Sequence, residues 1–118
     1  MKIIYRNKKV EKQCKTPERE FRGNKDLIEW ILYRMVQLKT FETLLDIKNL
    51  RDANFHALVW NRKYEIAIDA LLWNRRSRRR IIFQPINGEN IFEDMLNIAK
   101  LKTVTEIEII EITENHYL

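Results

Sequence analysis

Apolar side chains recur at three- and four-residue spacing through Leu27, Ile28, Ile31, Leu32, Met35, Val36 and Leu38. That is the period of an amphipathic helix whose stripe lies on a sheet or another helix. Asn24 can cap this helix after Gly23, and Asp26 complements its first turn. Phe41, Leu44, Leu45 and Ile47 predict a further helical turn or two that ends near Asn49. Upstream, Lys2 to Tyr5 is a short apolar run fit to join a sheet, and Lys8 to Lys15 is a basic segment of helix formers. Thr16-Pro17 interrupts it and reads as a fresh start, with Thr as N-cap, Pro in the first turn and Glu18 behind it.

The period changes in the second half. Tyr64-Glu65-Ile66-Ala67-Ile68-Asp69 alternates as a half-buried strand does, whereas Ile81-Ile82-Phe83 is continuously apolar, as a central strand covered on both faces requires. Pro85 marks the end of pairing, and Asn87-Gly88 offers the positive-φ pair of a tight turn. Phe92, Met95, Leu96 and Ala99 sit at helical spacing in a short insertion before a last strand from Val104 to Ile112. In that strand Ile107 and Ile109 point one way, while Ile110 and Ile112 are in the opposite phase. Either a bulge shifts register there or both faces are covered, and the second is the favoured expectation. The order of helices then strands predicts a single α+β domain over 1–118, with N-terminal helices packed on a small, mostly antiparallel sheet.

At 118 residues with 45% apolar and 33% charged side chains, the chain has material for one core, and its two Gly and two Pro exclude collagen-like or low-complexity classes. No run approaches a membrane span, and Met1 to Arg6 lacks the apolar stretch of a signal peptide, so a cytoplasmic protein is expected. One cysteine, Cys14, and two separated histidines, His56 and His116, give neither an internal disulfide nor zinc-ligand spacing, so no metal or cofactor is expected. The net charge of +5 is uneven: residues 1–25 carry +6, residues 26–80 carry +4 and residues 81–118 carry −5. A polyanion such as RNA would therefore meet the first two-thirds of the chain. The densest cationic feature is Arg75-Arg76-Ser77-Arg78-Arg79-Arg80, in which each guanidinium can fork onto a phosphate. The plainer reading of this run is a solvated basic loop.

Where these elements meet, the sequence resembles the HigB branch of the RelE/ParE superfamily, the small toxins of type II toxin–antitoxin systems. The resemblance is carried by Phe55-His56-Ala57-Leu58-Val59-Trp60-Asn61-Arg62 before the first long strand, then by Tyr64 to Asp69. It continues through Arg80-Ile81-Ile82-Phe83-Gln84-Pro85-Ile86-Asn87-Gly88 and the C-terminal Glu111-Ile112-Thr113-Glu114-Asn115-His116-Tyr117-Leu118. It covers residues 50–118 well and the N-terminal helices only in pattern. It implies a ribosome-dependent endoribonuclease that cuts translated mRNA without a metal and is silenced by a cognate antitoxin in a hetero-oligomer.

By this resemblance Arg80 matches the arginine that stabilises the phosphate, His56 the loop histidine, His116 the terminal histidine and Glu114 an aspartate position. Val59 stands where a lysine is expected, and Asn115 where an aromatic is. Arg62 or Lys63 would then supply the cation and Tyr117 the stack, while Arg76, Arg78 and Arg79 would bind the RNA backbone. Other readings remain open. His56 could be a packed histidine, Arg80 could pair with a strand glutamate such as Glu108, and Trp60 and Trp73 are better placed to stack bases than Trp30, whose place is in the core pattern. The same fold could also serve a ParE-like gyrase inhibitor that needs no proton-transfer groups, or a plain RNA-binding module.

Overall fold

The computed structural model describes residues 1–70 and 79–113. The chain is an α+β domain whose elements follow in the order β1 (Lys2–Tyr5), α1 (Lys8–Lys15), α2 (Pro17–Glu20), α3 (Lys25–Thr40), α4 (Leu44–Lys48), β2 (His56–Ala57), a 3-10 turn (Trp60–Arg62), β3 (Ile66–Asp69), β4 (Arg80–Pro85), α5 (Ile98–Leu101) and β5 (Glu106–Thr113). One five-stranded sheet takes the order β1-β5-β4-β3-β2. All neighbours are antiparallel except β1, which runs parallel to β5. No described helix is long and apolar enough to cross a membrane.

Local chemistry sets the helix ends. The Asn7 side chain accepts from the Val10 amide at the start of α1, and Asn24 accepts from Leu27 at the start of α3. Thr16 occupies the N-cap position of α2 but makes no side-chain cap bond there. Its hydroxyl instead donates back to the Lys12 carbonyl at 3.0 Å, closing the end of α1.

The core lies between the helices and one face of the sheet. Val10 and Cys14 of α1, Leu27, Ile31, Met35 and Leu38 of α3, and Leu44 and Ile47 of α4 pack on Ile66, Ile68, Ile81, Phe83, Ile107, Ile109 and Ile112. The apolar stripe of α3 is wider than its buried part, since Leu32 and Val36 are exposed. Trp30 lies at the margin of the core, edge-on to Tyr33 at 5.4 Å, rather than inside it.

Three expectations are corrected. Strand β3 is not half-buried: Ile66, Ala67, Ile68 and Asp69 are all buried, because Ala67 joins a second cluster with Leu58, Ile82 and Ile110 on the opposite face. Of the helical spacing at Phe92, Met95, Leu96 and Ala99, only Ile98–Leu101 forms a helix; Asn90 and Asp94 side chains hold the preceding turns by accepting from Phe92 and Leu96. In the turn after β4, Gly88 alone takes a positive φ, +86°. Asn87 acts through its side chain, its Oδ1 accepting from the amides of Thr105 and Glu106. A Cβ on Gly88 would lie 2.6 Å from the Thr103 carbonyl oxygen, whereas one on Gly23 would meet nothing within 4 Å. Gly23→Ala should therefore cost about 1 kcal/mol from the left-handed backbone alone, and Gly88→Ala about twice that or more, read from urea midpoints.

The phase problem in β5 is resolved mainly by a bulge. Ile82 pairs with Glu111 and Phe83 with Ile109, so Ile110 is the extra residue, and Ile112 returns to the helix-facing side opposite Ile81. Among the isoleucines Ile110 alone remains on the other face, in the small cluster. Both faces are nonetheless covered at the far end of β5, with Ile109 and Ile112 buried on the helix side and Ile110 and Thr113 on the other. What differs from the expectation is that a bulge, and not an unbroken register, places Ile112 on the helix side.

Burial also sets a pH dependence. The Cys14 thiol, 2% exposed, is pushed up from 9.0 to about 12 by burial, which Lys39 only partly opposes. In the unfolded chain it ionises near its ordinary value while the folded thiol stays neutral, so stability is complete below about pH 9 and falls as pH rises toward 12. A urea midpoint that drops between pH 8 and pH 10.5 in the wild type, and drops less in Cys14→Ala, checks this.

Candidate functional site

The face of the sheet turned away from the helices carries the polar residues. Directly paired residues of neighbouring strands share a face, so the register assigns Asp69, Arg80 and Thr113 to one cross-strand row and His56, Ala67, Ile82 and Glu111 to the next. Gln84 and Glu108 form a third row toward the other end. His56 and Arg80 therefore occupy the same face, two strands and two residues apart, roughly 12 Å between backbones at ordinary strand spacing. The bulge is what aligns these rows, because without Ile110 as an extra residue Glu111 would turn toward the helices.

Arg80 is 7% exposed, and its Nε lies 3.5 Å from Oδ1 of Asp69, itself 4% exposed. It does not pair with Glu108, whose carboxylate is taken by Arg6 and Gln84. Asp69 is held in turn by the backbone around it. Its amide donates to the Ala53 carbonyl at 2.7 Å, and its carbonyl accepts from Nε of Arg34 at 2.9 Å. Arg34 is wholly buried in α3 and also binds Gln37 and both the side chain and carbonyl of Asp52. A chain of contacts thus runs from α3 through the end of β3 to Arg80.

Nδ1 of His56 lies 2.7 Å from the Asn54 carbonyl. A carbonyl only accepts, so Nδ1 carries the proton and the neutral ring keeps Nε2 as its basic nitrogen. The histidine is thereby oriented by one bond and left half-buried on the open face.

The two cations offered in place of a lysine at Val59 are differently engaged. Arg62 donates to Glu65 at 2.8 Å and reaches across to Glu111 at 2.7 Å. Burial opposes its charge, but the hydrogen bonds to both carboxylates outweigh that and raise its pKa above the ordinary value. Lys63 is exposed, with Nζ 5.1 Å from the centre of the Tyr64 ring. Arg79 places its guanidinium 5.9 Å from the Phe21 ring, tying the start of β4 to the corner between α2 and α3. Trp60 is 83% exposed. Arg76, Arg78, Glu114, His116 and Tyr117, and with them Trp73, lie outside the described residues.

Sequence reasoning missed Arg34, Asp69 and Glu111. The signal for Arg34 was its position on the stripe of Leu27, Ile31 and Leu38, where a cation demands buried partners. Asp69 and Glu111 became legible only with strand register. Comparison with models of known protein families finds no match to this chain, and a search of curated proteins finds none.

Proposed function

We propose that this protein is a HigB-like toxin, a ribosome-dependent endoribonuclease that cuts mRNA in the cytoplasm and is held silent by an antitoxin in a hetero-oligomer. The observation that carries the reading is the placement of His56, with its basic Nε2 available, on the same sheet face as Arg80. In this scheme Nε2 takes the proton of a ribose 2′-hydroxyl, and the oxygen attacks the adjacent phosphorus. The P–O5′ bond breaks to leave a 2′,3′-cyclic phosphate, and the departing 5′-oxygen takes a proton from His116. Arg80 stabilises charge on the phosphorane, Glu114 supports the terminal histidine, and Arg62, Lys63, Arg76, Arg78, Arg79 and Tyr117 contact the RNA. His116 follows Thr113, the register partner of Arg80, by three positions.

One observation favours a second reading, a non-enzymatic toxin or RNA-binding module on this scaffold: Arg80 is nearly buried against Asp69. Induction in cells, followed by mapping of transcript ends, separates them. The nuclease reading expects 5′-hydroxyl ends to accumulate with wild type and to fall by on the order of a hundredfold with His116→Ala. Growth arrest with intact transcripts would refute it, and arrest of replication would point to gyrase.

A further inference from the structure

A cleft of about 370 Å³ opens where β3 begins and β4 has ended, between the segment after β2 and the turn before α5. Its lining includes Val59, Lys63, Tyr64, Asn90, Phe92 and Glu93. Tyr64 and Phe92 meet edge to face, with ring centres 5.5 Å apart and planes at 81°, so each ring fixes the tilt of the other. Tyr64 is nonetheless 53% exposed, and its backbone takes φ +82°, a conformation costly for a residue with a Cβ. Among the described residues the only non-glycine positive φ values are at Asn54, Trp60 and Tyr64, all within the segment that walls this cleft or leads into it.

From this arrangement we infer that the cleft binds a guanine base. A flat heterocycle can stack on the Tyr64 face now covered by the Lys63 ammonium, which then moves to the nucleotide's phosphate. The polar groups of the wall select the base. Oδ1 of Asn90 already accepts from the Phe92 amide at 2.9 Å, so its side chain offers Nδ2 donors, which suit the O6 acceptor of guanine. Glu93 is exposed and acceptor-only, which suits the N1–H and N2–H₂ donors of the same edge. Adenine would set its N1 lone pair against that carboxylate, and uracil and cytosine lack the adjacent pair of donors.

The cleft stands apart from Arg80. From Arg80 to Gln84, the row nearest the cleft, β4 advances roughly 13 Å. In a nuclease of the kind proposed above, on which this role rests, the cleft holds a guanine neighbouring the cut rather than the cleaved linkage itself, and so determines where cutting occurs.

Titration calorimetry of the purified full chain with guanosine 5′-monophosphate and adenosine 5′-monophosphate tests it. Guanosine monophosphate should bind on the order of tenfold more tightly than adenosine monophosphate. Glu93→Gln should abolish that preference by weakening only the guanine nucleotide, and Tyr64→Leu should weaken both. Equal affinities, no detectable heat with either nucleotide, or a preference that survives Glu93→Gln each overturn the assignment. Transcript-end mapping is read independently. Guanine binding without RNA cleavage sinks the nuclease and keeps the cleft, whereas cleavage without guanine binding does the reverse.

Discussion

Replacing Arg34 by methionine is expected to lower the unfolding free energy by about 2–4 kcal/mol, a large share of the stability of a domain this size. Methionine preserves much of the aliphatic stem, so the loss is chiefly polar. The guanidinium is completely buried and serves the Asp69 carbonyl, Gln37, and the carboxylate and carbonyl of Asp52. Without it the Asp69 carbonyl loses a charged donor in a place closed to water. The Asp52 side chain is 41% exposed and can rehydrate, which keeps the loss below that for a fully buried broken pair. Arg34→Lys should recover only part of the loss, since one ammonium cannot reproduce the fork that joins α3 to Asp52 and β3 at once. A loss smaller than about 1 kcal/mol in urea unfolding would show that these contacts are not coupled to the fold.

Arg80→Ala should reduce RNA cleavage by about 10²- to 10³-fold, the scale for removal of a group that stabilises transition-state charge. The same change removes one charged partner from Asp69, which is 4% exposed, so a fall in activity could reflect a damaged fold. The double variant Asp69→Asn/Arg80→Gln separates the two effects. It removes both charges and leaves an Asn of the same shape as Asp69 beside a shorter Gln, so stability should return part of the way toward wild type while cleavage stays low. Recovery of cleavage in the double variant would refute a direct role for Arg80.

The local elements were readable because neighbours in sequence determine them. The basic segment from Lys8 to Lys15 forms α1 with those bounds, Asn24 caps α3 through the Leu27 amide, and α4 ends at Lys48 with Asn49 as its C-cap. The continuous apolar run of Ile81, Ile82 and Phe83 lies in a strand flanked on both sides, as such a run requires. The insertion was misread because Asn and Asp side chains compete with helix hydrogen bonds, and apolar spacing does not register that competition. For β5 the amino-acid pattern left two solutions for Ile110, and the choice depended on what β4 presented opposite it.

The candidate site divides in the same way. Its residue types, a histidine before a strand and an arginine opening another, were visible along the chain. The orientation of His56 by Asn54, the pairing of Arg80 with Asp69 rather than Glu108, and the clasp of Arg62 between Glu65 and Glu111 were not. Periodicity, caps and breakers act over a few residues, so the chain alone determined its helices, most of its strands and the presence of a core between them. Ion pairs between residues as distant as Arg62 and Glu111 depend on strand order and register. Closing such long loops is rewarded only when the whole sheet forms, and so tertiary structure alone decided which charges meet and which face they share.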